Sequence, residues 1–314
     1  MSSSCSFNCS GPPPKYEPDN DITGVGVVIN YIVTSALGIL IMIVYYVTSF
    51  DPSNDPFGYT IRGGAPPYRS NAWDMLLLYW IRSGPRYLLK RWRGPEFVMS
   101  NNTRYRLEEI LVKCVILMGD MQIVTGLAIL VSGYVQLQCG LASFKWRIIL
   151  DLAWFSCLTH LSCLTMLRCH LYSHQLERVW RLSAMGTLAI LLATGRLLTA
   201  NERWSRAGGG RDAVPALCLI QASSAIEALE GASVTYTIQL PEDAKLSAIG
   251  WVIAAFVWGL WRIIFDLSGG LSDNLEHVAL GRQAWTFGQI VSVLTLLAPI
   301  ISIVGAWREG RFST

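Results

Sequence analysis

Six stretches of this sequence are apolar over about the twenty residues that a helix needs to cross a hydrocarbon core, and no block between them is large enough for a sizeable soluble domain. Inside lipid every backbone N–H and C=O must find its partner within the protein, which leaves helices and closed barrels. These runs are continuous instead of alternating at period two, so helices are predicted. The predicted fold class is all-α: a polytopic integral membrane bundle of about six transmembrane helices over 22–306, between a polar tail, 1–21, and a short tail, 307–314. The composition agrees, because charged residues make up 15% of the chain where soluble domains carry about a quarter.

The tail Met1 to Asp21 has one lysine and no basic n-region, so the first span, Ile22 to Val47, serves as the signal. The segment that follows it, 51–108, is rich in Lys and Arg, which predicts a cytoplasmic location and a lumenal N-terminus in the endoplasmic reticulum or another secretory-pathway membrane. Within it, Trp73 to Trp92 is too short to span and mixes apolar residues with cations. It reads as a helix lying on membrane lipids, not as a nucleic-acid patch.

The second and third spans, near Leu111 to Gln136 and Ile148 to Leu167, are joined by a short loop and should be antiparallel neighbours. The fourth covers Leu182 to Leu198, the fifth Ala248 to Phe265 and the sixth Trp285 to Ala306, with the loop 200–246 lumenal and both termini on that side. Asn8-Cys9-Ser10 fits a glycosylation sequon there. Cys139 and Cys218 share the same side and form a candidate disulfide, although sequence alone does not fix connectivity.

Ionisable groups within a membrane helix cost several kcal/mol and are functional candidates by default. In the second span Asp120 and Gln122 interrupt an apolar run, with Gln122, Thr125, Gly126 and Gly133 on one face. That face suits a close helix contact or a ligand wall. Asp120 points away from it and follows Glu109 and Lys113, which invites an ion-pair ladder along the helix. The third span carries Asp151 and Trp154, then a stripe of Ser156, Thr159, His160 and Cys163. Asp151 lies about 180° from His160, so the two need partners from other helices. The fifth span ends in Arg262 and Asp266 after Trp251, Trp258 and Trp261. With four histidines in all and no DDxxD, DxDD, GxSxG or HExxH pattern, the sequence implies no metal and no cofactor.

The run Gly119-Asp120-Met121-Gln122-Ile123-Val124-Thr125-Gly126, the run Leu152-Ala153-Trp154-Phe155-Ser156 with Thr159-His160-Leu161, and Trp285-Thr286-Phe287-Gly288-Gln289 together resemble a family of polytopic integral membrane proteins of filamentous fungi. The resemblance covers most of 22–306 and implies the fold and a fungal secretory-pathway membrane more firmly than a reaction. At the end of the fourth span, where a histidine after Thr-Gly is expected, this chain has Thr194-Gly195-Arg196. In size and span count the chain is also similar to the small membrane cyclases of fungal terpenoid and polyketide clusters, a likeness of architecture and not of site.

Two functional readings follow. The first is an accessory enzyme of fungal secondary metabolism, a cyclase or isomerase acting on a lipophilic small molecule without metal. There Asp120 or Asp151 supplies a proton, Gln122 and His160 orient it, and Trp154 shields a cation. The second is a non-catalytic membrane protein, such as a receptor, transporter component or scaffold, that uses the same positions for helix packing.

Overall fold

The computed structural model describes residues 9, 24–48, 79, 101–173, 175–199, 215–221, 245–269, 287–299, 301 and 305. These form α1 (Val25–Thr48), α2 (Asn101–Leu137), α3 (Ser143–Ser173), α4 (Gln175–Thr199), the short α5 (Ala216–Gln221), α6 (Lys245–Gly269) and α7 (Phe287–Thr295). The all-α bundle is as predicted. Among the described residues the only non-helical pairing is one isolated bridge, Ala142 to Pro215. Five helices, α1 to α4 and α6, are long and apolar enough to cross a membrane, as in a multi-pass membrane protein. The sixth predicted span, Trp285 to Ala306, is represented by α7 and the apolar helical stretch Ile290–Pro299. Asn8, the interfacial stretch Trp73 to Trp92 apart from Tyr79, and most of 200–246 lie outside the described residues.

Helix α3 is the axis of the bundle, packing against α1, α2, α4, α5 and α6. Its residues Trp146, Ile149, Leu150, Leu152, Ala153 and Phe155 are fully enclosed. The predicted antiparallel pairing of α2 and α3 is present. The turn between them needs a residue in the left-handed region, and Gly140 supplies it at φ 85°. Close approach depends on small residues, as the Gly126 and Gly133 face implied. A Cβ on Gly126 would sit 2.8 Å from Ser156 Cβ, and one on Gly133 would sit 3.1 Å from Ile149 Cγ2. Packing of this kind, with no water to expel, is what associates helices in lipid.

The direction of α6 corrects the predicted topology. Its first turns, at Ile249 and Val252, pack with Ile39, Met42 and Tyr46 in the second half of α1. Further along, the Ala255 carbonyl meets Trp154, Arg262 meets Asp151, and Asp266 meets Arg147. So α6 finishes where α3 begins. Helix α5 lies at that same end, with Ala216 N–H donating to the Leu141 carbonyl at 2.7 Å. Helix α5 and the start of α6 therefore lie at opposite ends of the bundle. Hydropathy finds apolar helices well, but their direction here is set by Asp–Arg contacts between helices distant in sequence.

A second correction concerns the cysteines. Cys218 bonds to Cys9, with Cα atoms 5.5 Å apart, and not to Cys139. Each sulfur makes one such bond, and α5 carries Cys218 to the N-terminal tail. The disulfide lies at the end where α1 and α3 start and α2 and α4 finish.

Candidate functional site

All five predicted site residues face the interior, but they fall into separate groups. Asp151 is buried and occupied. Its Oδ1 accepts from Arg196 Nη2 of α4 at 2.5 Å and lies 3.3 Å from Arg262 Nε of α6. One turn earlier on α3, Arg147 Nη1 stands 3.7 Å from Asp266 Oδ1 of α6. Three guanidinium groups and two carboxylates thus meet between α3, α4 and α6, within two turns of the helix ends. Arg196 stands where the resemblance noted in the sequence implied a histidine. Beside it a Cβ on Gly195 would come 2.5 Å from Leu150 Cδ2, so the glycine lets α4 approach closely enough for the pair to form.

Asp120 is held differently. Arg181 of α4 reaches it through both arms of its fork, Nε to Oδ1 at 2.9 Å and Nη2 to Oδ2 at 3.0 Å, while Nη1 donates to Glu177 at 3.2 Å. This bidentate geometry is the strong form of an arginine–carboxylate contact. The ladder expected along α2 stops one step short. Lys113 pairs with Glu109 at 2.9 Å, and Asp120 turns to another helix.

Trp154 is a helix-to-helix contact. Its Nε1–H donates to the Ala255 carbonyl at 3.2 Å, and its ring meets Trp258 edge-on at 5.2 Å. A Cβ on Gly259 would sit 2.8 Å from Trp154 Cδ1, so a small residue is needed there too. His160 is enclosed beside Cys163 and the Gly119 main chain, which lies at the imidazole. His160 lies within electrostatic reach of Asp120 and Arg181, whereas Asp151 stands apart in its own cluster with Arg196 and Arg262.

Gln122 borders an open crevice between α1, α2 and the segment after α7, lined by Asn30, Thr34 and Thr125 among apolar residues such as Leu37, Met118 and Pro299. Its main-chain carbonyl accepts from Ser156 Oγ at 2.5 Å, which ties α2 to α3. Thr125 instead bonds within its own helix, to the Met121 carbonyl at 2.8 Å. The Gln122 side chain is buried, and its Oε1 has no partner among the described residues. A buried acceptor left in this state costs about 1–3 kcal/mol, which a ligand donor would recover. The crevice was not foreseen as such. The polar face of α2 was visible in the sequence, but its opposite wall comes from Asn30, Thr34 and the segment near Pro299, which no spacing rule connects to it.

Among the described residues no group of three or more His, Cys, Asp or Glu side chains is placed to hold a metal ion. No family model, curated protein or solved structure matches this sequence.

Proposed function

We propose that this chain is a non-catalytic, membrane-embedded binding protein for a lipophilic small molecule bearing a hydroxyl or amide donor. The observation that carries this reading is Gln122, which lines a crevice with a polar strip and an apolar remainder and whose buried Oε1 has no partner among the described residues. The crevice holds about 20 Å³, room for one water-sized group, so it would take the hydroxyl or amide of such a molecule while the apolar remainder stays outside. The carboxylates, by contrast, are poorly arranged to give up protons. Asp120 has both oxygens on Arg181, and Asp151 is engaged by Arg196 and Arg262.

The test uses full-length protein in detergent, with intrinsic fluorescence reporting binding of an isoprenoid alcohol and of the same skeleton without its hydroxyl. The alcohol should bind about tenfold tighter, as one recovered hydrogen bond implies. Gln122→Leu should abolish that preference and retain the hydrocarbon. Equal binding of both probes to the native chain would sink the proposal.

A membrane cyclase or isomerase of fungal secondary metabolism is the second reading, and His160 favours it as a buried imidazole within electrostatic reach of Asp120 and Arg181. In a fungal host supplied with an isoprenoid precursor, His160→Ala would erase the product while Asp120→Asn would spare it. An unchanged product pattern in His160→Ala removes this reading. For location, we propose a fungal secretory-pathway membrane, with the N-terminal tail lumenal and Asn8 open to glycosylation. The Cys9–Cys218 disulfide supports that orientation, since such bonds persist in the oxidising lumen.

A further inference from the structure

Two neighbouring helices each carry a cysteine followed one turn later by a methionine: Cys114 and Met118 on α2, Cys163 and Met166 on α3. All four side chains are enclosed in one cluster, together with Ile41, Leu111, Val115 and Leu167. Within it the Cys114 thiol faces Met118 Sδ at 3.8 Å. Cys163 Sγ packs on the α2 main chain at the next residue, 3.6 Å from where a Cβ on Gly119 would sit, and Cys163 lies within electrostatic reach of Cys114. Singly, a buried cysteine or methionine is an ordinary core residue. Two thiols and two thioethers gathered at one helix interface are also a set of soft metal ligands.

The kind of ion follows from the donors and from the solvent. Thiolate combined with thioether selects Cu(I), whereas zinc takes thiolate, imidazole or carboxylate. No group of three such zinc ligands is placed to hold an ion among the described residues. Charge agrees with this choice. A monovalent ion on one thiolate is neutral, and its burial escapes the penalty that a divalent ion on the same thiolate would carry. Binding exchanges one thiol proton for copper: the S–H bond breaks, a copper–sulfur bond forms, the proton leaves to water and no electron is transferred. The remaining sulfurs coordinate as neutral donors.

The group also has a way in. Met118 and Pro299 line the crevice between α1, α2 and the segment after α7, and Cys114 Sγ stands 3.9 Å from the Pro299 carbonyl. The sulfurs therefore lie directly behind the crevice wall. We infer that Cys114, Met118 and Cys163, with Met166 in the same cluster, form a site for Cu(I) between α2 and α3. The site uses the crevice as its entrance and stands whatever the crevice itself binds.

Anaerobic titration of the full-length protein in detergent with Cu(I), set against a chromogenic Cu(I) chelator and with ascorbate as reductant, tests the inference. The protein should withhold copper from the chelator, and the X-ray absorption spectrum of that copper should show sulfur neighbours alone. Met118→Leu conserves volume and removes one donor, so copper affinity should fall by at least about tenfold, a loss that even an outer-shell contact can bring. Cys114→Ala combined with Cys163→Ala should lose one withheld equivalent. Cys157→Ala, a thiol of α3 that packs in a different cluster, should keep native affinity. An excess of Zn(II) should leave the copper in place. Native affinity in the folded leucine variant, an undiminished equivalent in the double-cysteine variant, nitrogen or oxygen neighbours in the spectrum, or displacement by Zn(II) overturns the site. If the double-cysteine variant fails to fold, the leucine variant decides alone.

Discussion

Asp120 and Asp151 look alike in the sequence, and the fold gives each an arginine from the same helix. Arg181 near the start of α4 takes Asp120, and Arg196 near its end takes Asp151. The span of α4 is only 17% buried, so little apolar packing holds it, and two ion pairs about 22 Å apart fasten it to α2 and α3. The two fastenings differ in kind. At Asp120 both oxygens meet one fork, and its side chain is 35% exposed. At Asp151 a side chain only 2% exposed shares one oxygen between two cations and leaves the other without a partner. A closed pair fixes one helix to another, whereas the shared Asp151 oxygen ties three helices together.

The comparison breaks most easily at Asp151. Asp151→Ala leaves two arginines facing each other in the bundle and should cost about 3–5 kcal/mol in denaturant unfolding from mixed micelles. A smaller loss than at Asp120 would reverse the ranking. Gly195→Val tests whether α4 must come this close. Its side chain meets Leu150 and Trp146, and about 1–3 kcal/mol of overpacking should appear, with Asp151 and Arg196 drawn apart. Asp120→Asn loses the charge but keeps one acceptor oxygen. At its partly exposed position about 1–2 kcal/mol is expected, and a double-mutant cycle with Arg181→Gln should recover most of it as coupling. Glu177→Gln should have the smallest effect, within about 0.5 kcal/mol by thermal midpoint, because its carboxylate is 42% exposed and only completes a contact that Asp120 already makes.

Much of the bundle was legible because hydrocarbon imposes a length and a composition that any reader of the sequence can count. The polar face of α2 and the stripe from Ser156 to Cys163 also follow from helical spacing, and the fold buries Gln122, Ser156, Thr159, His160 and Cys163. Partner choice was not legible. Arg262 and Asp266 are spaced to pair along one helix, yet they reach Asp151 and Arg147 on another. Arg196 appeared only where the resemblance implied a histidine, and its role became visible once α4 lay against α3. Helix direction had the same limit. Only contacts between α3 and α6 show which way α6 runs.

The bond between Cys9 and Cys218 joins positions 209 residues apart. The four long helices α1 to α4 lie between the two sulfurs, so the bond cannot close until all of them have been synthesised. The latch then records that α5 has docked against the start of α3.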